Sequence, residues 1–323
     1  MYAIYDKWPK IARESFESNQ SSINFDNIEH IVFAGMGGSG AIGDMFASIL
    51  SKTKIHVNVV KGYLLPKTVD SHTLVVVISV SGNTVETLSV LESAHKLGSK
   101  IIAFSSGNKM QEYCRKNKIE HRIIQQYHSP RASFTSFLYT ILKVLHSTLN
   151  IKQQDILESI TELENLSKKI NSLNLSDKNP ALSLSQWLNN IPVIYYPFGL
   201  QSAAIRFKNS LQENAKMHVI TEDVIEVCHN GIVSWEKPSD VKPILIQGVD
   251  DYTKTKERFD ILMEYFELNS IEYKKINSVK GSILTKLINL IYFLDYTSIY
   301  KAILLETNPT PVKSIEFVKK RTT

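Results

Sequence analysis

Uninterrupted apolar runs alternate along the chain with segments whose apolar positions return at helical spacing. Ile31-Val32-Phe33-Ala34 leads into a glycine-rich turn and then a predicted helix over residues 41–50. Residues 55–60 predict a second strand and Leu74-Val75-Val76-Val77-Ile78-Ser79 a third, fully buried one. A helix over 84–97 then leads to Ile101-Ile102-Ala103-Phe104 as a fourth strand. A strand that is apolar on both faces needs helices above and below it, so the pattern predicts a parallel β-sheet flanked by helices, an α/β fold. A helix over 133–149 closes this half.

Residues 150–178 are charged, rich in serine and asparagine, and carry no strand signal. They mark the expected boundary between a first domain over 1–150, with an N-terminal arm over 1–26, and a second over 151–323. Beyond the boundary Val193-Ile194-Tyr195-Tyr196 and Ile244-Leu245-Ile246-Gln247 read as strands and 201–214 and 253–268 as helices. Long helices follow over 283–305 and 312–321. Ile31 to Gly37 lines up with Val193 to Gly199, and Ala41 then falls on Ala203, which predicts a degenerate duplication. The second copy has Leu200-Gln201-Ser202 where the first has glycines, so one anion site per chain is expected.

The length of 323 residues fits two domains, and 43% apolar with 21% charged residues excludes a disordered or low-complexity chain. The excess of 37 basic over 32 acidic residues is spread along the sequence, with its densest run, Lys319-Lys320-Arg321, at the end. No nucleic-acid partner is expected from that distribution. Cys114 and Cys228 match no C-x-x-C pattern, the N-terminus lacks an apolar leader, and no apolar window is long enough to cross a bilayer. A cytoplasmic protein without a membrane partner is therefore expected. The nine histidines form no H-x-x-x-H or H-E-x-x-H pair and neither cysteine has a partner at ligand spacing, so no metal is expected.

Gly35-Met36-Gly37-Gly38-Ser39-Gly40 follows a strand and opens a helix, where bare backbone and first-turn N–H groups attract an anion. It also satisfies G-x-G-x-x-G, which leaves a dinucleotide reading open. The second strand ends in Val59-Val60-Lys61 rather than in an acidic residue, so such a cofactor would be NADP. A second strand-to-helix turn, Ser79-Val80-Ser81-Gly82-Asn83-Thr84-Val85-Glu86-Thr87, puts further hydroxyls where a parallel sheet presents its ligand crevice. Ser39, Ser79, Ser81 and Thr84, with the backbone at Gly38, could together saturate a phosphate monoester. As ordinary helix caps they would do no more than start two helices.

The pair G-x-G-G-S-G and S-x-S-G-N-T-x-E-T resembles the phosphosugar site of the sugar isomerase (SIS) fold. His128-Ser129-Pro130-Arg131-Ala132, Leu211-Gln212-Glu213-Asn214-Ala215-Lys216, Cys228-His229-Asn230 and Asn308-Pro309-Thr310-Pro311-Val312 extend the likeness, in order, over nearly the whole chain. Together they resemble the archaeal and bacterial bifunctional phosphoglucose/phosphomannose isomerases, which implies two SIS domains. The implied activity is metal-free, cofactor-free interconversion of glucose 6-phosphate and mannose 6-phosphate with fructose 6-phosphate through a cis-enediol.

That chemistry needs a base for the C2 proton, a group that opens the sugar ring, and positive charge for the enediolate. The resemblance implies Glu213 as the base, His229 as the ring-opening group supplied to the neighbouring subunit's site in a homodimer, and Arg131 as the enediolate partner. It also implies Lys319 near the ring-opening site and Thr310 beside the sugar, where its size leaves the C2–C3 bond room to rotate. The chain departs from the family pattern at Cys228 and Gly231, which flank the histidine where an amide and a carboxylate are usual. Asn308 likewise stands where aspartate is commoner. A non-catalytic SIS regulator is the competing class; such proteins usually carry a DNA-binding module, and about 30 residues precede the first strand, fewer than a helix-turn-helix domain needs.

Overall fold

The computed structural model describes residues 1–322 and divides into two compact units, the first made of Ala3–Ile160 with Val312–Thr323 and the second of Thr161–Pro311. In the first unit two short helices, α1 (Tyr2–Tyr5) and α2 (Trp8–Phe16), precede β1 (His30–Ala34), α3 (Gly38–Leu50), β2 (His56–Val60), β3 (Leu74–Ser79), α4 (Val85–Lys96), β4 (Lys100–Ser105), α5 (Asn108–Lys116), β5 (Glu120–Ile123) and α6 (Phe134–Leu145). The strands form one parallel sheet in the order β2-β1-β3-β4-β5. All six residues of β3 are buried, as their unbroken apolar run requires.

One face of this sheet packs Val32, Ala34, Val75, Val77 and Ala103 against Val90, Leu91 and Ala94 of α4 and Met110 and Cys114 of α5. On β1, Phe33 stacks with Phe46 of α3, ring centroids 4.9 Å apart. Each fully buried side chain of this size contributes about 1.5–3 kcal/mol, so this layer outweighs any single polar contact in the unit. The N-terminal arm belongs to the same body. Trp8 is buried, stacks near Phe134 of α6 and donates its indole N–H to the carbonyl of Ala132 (2.9 Å).

Helix α7 (Gln153–Ile170) occupies the stretch expected as a boundary, and α8 (Pro180–Trp187), β6 (Ile191–Tyr196) and α9 (Gln201–Ser210) follow. The helix expected over 201–214 does not run straight through. It changes at Leu211–Ala215 into one turn of π-helix, in which an extra residue is accommodated. Next come β7 (Ile220–Asp223), α10 (Val224–Val227), a 3₁₀ segment (Gly231–Glu236), β8 (Val241–Gln247), α11 (Thr253–Leu268), β9 (Lys274–Asn277), α12 (Ile283–Leu304) and α13 (Lys313–Thr322).

The second sheet is again parallel, in the order β7-β6-β8-β9. Its strands thus repeat the arrangement β2-β1-β3-β4, and Gly37 and Gly199, the aligned glycines after β1 and β6, both take positive φ. One face buries Val193, Tyr195 and Leu245 against Phe259, Leu262 and Phe266 of α11. Helix α12 is buried on nearly every side, so its polar residues must find partners inside the protein. No helix among the described residues is long and apolar enough to cross a membrane.

Candidate active site

In the order β2-β1-β3-β4-β5 the chain departs in opposite directions from β1 and β3, and the crevice at their carboxyl ends is where such a sheet takes a ligand. Both glycine- and serine-rich turns open there. Gly37, at φ 54 and ψ −121, makes the turn into α3, a backbone conformation that side chains disfavour. Ser39 is buried and its Oγ accepts the backbone N–H of Val80 (3.3 Å), tying the first turn to the second.

Within the second turn Ser79 Oγ shares a hydrogen bond with Thr84 Oγ1 (3.0 Å) and accepts the N–H of Gly82 (3.1 Å). Ser81 Oγ accepts the N–H of Asn83 (3.3 Å), and Asn108 Nδ2 donates to the Ser81 carbonyl (2.9 Å). Gly82 has φ 68, and a Cβ built there would overlap the carbonyl oxygen of Gly107. The loops after β1, β3 and β4 therefore form one hydrogen-bonded rim, with Ser39, Ser79, Ser81 and Thr84 on it.

Arg131 joins this rim. A Cβ on Gly38 would stand 3.2 Å from the carbonyl oxygen of Pro130 and 3.5 Å from Arg131 Cα, so the loop that carries Arg131 lies directly on the start of α3. That loop is held rigidly: Ser133 Oγ donates to the carbonyls of Ser129 (2.9 Å) and Tyr127 (3.0 Å), and Ala132 is held by Trp8. Arg131 is buried to 5% exposure. Nearby His128 is held below the ordinary imidazole value by burial first, then by the N-terminal ammonium and Arg131.

The dinucleotide reading loses its support at Lys61. Its Nζ lies 2.5 Å from Asp44 Oδ2, and a Cβ on Gly40 would meet its Cε at 3.2 Å. The lysine is folded back along α3 and paired with Asp44 there.

In the second unit Glu213 sits in the π-turn, half-buried. The residues on either side are anchored to α12. Ser210 Oγ donates to Asp295 Oδ1 (2.5 Å), and Asn214 Nδ2 donates to Ser298 Oγ (2.8 Å), which itself donates to the Asp295 carbonyl (2.6 Å). Asp295 in turn receives Arg206 Nη2 at 2.7 Å, the two side chains being 0% and 3% exposed.

Lys216 ends the turn, and its Nζ donates to the Glu213 carbonyl and to the Pro311 carbonyl (2.9 Å). Next to Pro311, Thr310 is exposed and its N–H is bonded to Asn308 Oδ1 (2.9 Å). Glu213 and Thr310 are thus brought into one assembly through Lys216. In the sequence Lys216 stands out only as the last residue of the Leu211–Lys216 motif, and nothing local signals these carbonyl partners.

His229 follows α10, a one-turn helix capped by Asp223, and its side chain is exposed. Burial raises the thiol of neighbouring Cys228, so an uncharged group precedes the histidine. A Cβ on Gly231 would lie 2.8 Å from Glu222 Oε2, so a carboxylate from β7 borders the position where the sequence lacks one. Lys319 lies on α13, whose residues are all exposed.

Residues 25–150 match the SIS domain model, and residues 177–322 match the bacterial phospho-glucose isomerase C-terminal SIS domain model. A bifunctional phosphoglucose/phosphomannose isomerase from Caldicellulosiruptor bescii is 31% identical over 97% of this chain and 96% of its own length. The chain belongs to the bifunctional phosphoglucose/phosphomannose isomerase family. A second member, from Thermoplasma acidophilum, is 29% identical over 95% of this chain and 96% of its own. Among solved structures, a hypothetical protein from Thermus thermophilus superposes with a TM-score of 0.75 at 13% identity, covering 98% of this chain and 88% of that one. At that identity the likeness speaks to the fold, which is the two-sheet α/β architecture expected of two SIS domains.

Proposed function

We propose that the protein interconverts glucose 6-phosphate and mannose 6-phosphate with fructose 6-phosphate by proton transfer through a cis-enediol. The observation that carries this reading is the hydroxyl rim of Ser39, Ser79, Ser81 and Thr84 at the switch point of the first sheet, in a chain whose second unit keeps Glu213 on an anchored turn. Hydroxyls and the N–H groups at Gly38 bind the phosphate dianion directionally without covalent chemistry.

Each sugar atom then has a stated partner. His229, supplied by a second copy in a homodimer, moves the proton between the ring oxygen and the C1 hydroxyl, a task suited to imidazole near neutral pH. Lys319 assists beside it. Glu213 takes the C2 proton, the O1 and O2 oxygens carry the enediolate charge that results, and Glu213, its proton exchanged with solvent, then protonates C1. The role we assign to Arg131, whose loop is fixed by the Ser133 and Trp8 contacts, is to balance that charge with a guanidinium that cannot lose its proton. Glucose and mannose 6-phosphates give the same enediol, so one base serves both epimers if C2–C3 can turn, and Thr310 leaves that space.

The test is to supply the three sugar phosphates separately in deuterated water, without nicotinamide, and follow all products by NMR. Deuterium at C2 of both aldoses is expected; product formation without solvent deuterium would favour internal hydride transfer and overturn the enediol.

A further inference from the structure

We propose that Lys216 is a positioning residue that sets both the rate of proton transfer and the choice between the two epimers, by tying the turn of Glu213 to the loop of Thr310. The inference rests on the reading of Glu213 as the base. Its starting point is backbone conformation: Lys216 has φ 57 and ψ 33, the left-handed region, where glycine or asparagine would end a helix at lower cost. The backbone alone does not ask for a lysine, since Lys118 and Glu306 also take positive φ, so any reason for this one must come from its side chain.

The side chain supplies that reason. From the end of the π-turn the ammonium turns back to the Glu213 carbonyl and reaches the Pro311 carbonyl, 95 positions away in sequence, at 2.9 Å. The first bond fixes the peptide from which the carboxylate projects. The second fixes the segment whose preceding residue is Thr310, already folded by the bond from its own N–H to Asn308 Oδ1. One cation therefore holds the reacting carboxylate and the residue beside C2–C3 in a single register. Lys118, a second lysine with positive φ (54), is exposed after α5, where its backbone N–H donates to the Arg115 carbonyl. It provides the control.

The experiment compares Lys216→Met, Lys216→Arg, Lys216→Gly, Lys118→Met and Glu213→Gln in the full-length protein, with glucose 6-phosphate and mannose 6-phosphate as substrates. Misplacing a base by a fraction of an ångström costs turnover rather than binding, so Lys216→Met should lower kcat about tenfold or more and change KM less than about threefold. The ratio of kcat for the two epimers should shift by about threefold or more as the Thr310 loop loosens. Lys216→Arg, which still donates to carbonyls, should restore part of the loss, and Lys118→Met should have none.

Lys216→Gly separates positioning from mere support of the fold. It relieves the left-handed backbone, so its thermal midpoint should equal or exceed that of the parent while its turnover falls with Lys216→Met. The pH profile of kcat should keep both limbs in Lys216→Met; loss of a limb would make Lys216 a proton carrier and overturn the positioning role. With Glu213→Gln inactive, parental kcat and epimer ratio in Lys216→Met would overturn this inference alone. Substantial turnover by Glu213→Gln would remove the base assignment, and the inference with it.

Discussion

Arg206 and Asp295 form a buried fork beneath the turn that carries Glu213: Nη2 lies 2.7 Å from Oδ2, and Nε lies 3.2 and 3.1 Å from Oδ1 and Oδ2. Ser210 adds a third donor group to the same carboxylate. Removing one member of a buried pair strands the other charge, at a cost of about 3–5 kcal/mol. Asp295→Asn should therefore lower the thermal midpoint sharply, whereas Arg206→Met combined with Asp295→Leu should recover most of the stability. If the single variant melted like the parent, the pair would contribute nothing to the fold.

Gly82 is constrained from two sides, by φ 68 and by the Gly107 carbonyl that a Cβ would overlap. Gly82→Ala should cost about 1–3 kcal/mol in denaturant unfolding and displace the loops after β3 and β4 together. It should also raise KM for sugar phosphates, since the rim moves with the loop. Parental stability and KM would show that the loop can relax without consequence.

Ser81→Ala with Thr84→Ala removes two hydroxyls of the proposed phosphate rim. A hydrogen bond to a charged group contributes about 1.5–3 kcal/mol, so KM for phosphorylated hexoses should rise by at least about tenfold. Steady-state kinetics with an unchanged constant would place the phosphate elsewhere.

His229→Ala should slow turnover of cyclic substrate more than of freshly generated open-chain sugar phosphate. Rapid-mixing assays that found equal losses with the two forms would remove ring opening from this residue. Mixing the His229→Ala and Glu213→Gln proteins tests the partner arrangement, because exchange of subunits should restore part of the activity in a homodimer that shares its sites.

Stability should also fall on mild acidification. Burial holds His121 below the ordinary imidazole value, and its Nε2 is bonded to Ser105 Oγ at 2.8 Å. The unfolded chain binds the proton first, so this contribution is intact above about pH 6.5 and is lost as the pH falls below that value toward the lowered folded pKa. His121→Gln, which can keep the bond to Ser105, should flatten part of the decline in a series of denaturant titrations; His128, shifted in the same direction, supplies some of the rest.

The first sheet was legible because β1, β3 and β4 announce themselves as apolar runs that no other element tolerates. The strands that escaped notice, β5, β7 and β9, sit at sheet edges, where Glu120-His121-Arg122-Ile123 or Lys274-Lys275-Ile276-Asn277 needs only one paired side and little burial. The hydroxyl rim was legible for a related reason: Gly35 to Gly40 and Ser79 to Thr84 are contiguous, and a strand-to-helix turn places neighbouring residues together without help from afar.

The sequence by itself determined the α/β class and the two hydroxylated turns, since each depends on residues close along the chain. Only the tertiary structure decided that the helix over 201–214 would break into a π-turn, that Asp295 and Ser298 would anchor its two flanks, and that Lys216 would reach Pro311. Those outcomes depend on burial and on partners more than eighty positions away. A local pattern carries no term for the cost of an unpaired charge inside α12 or an unpaired carbonyl at the end of a turn, and it is that cost which selects the arrangement.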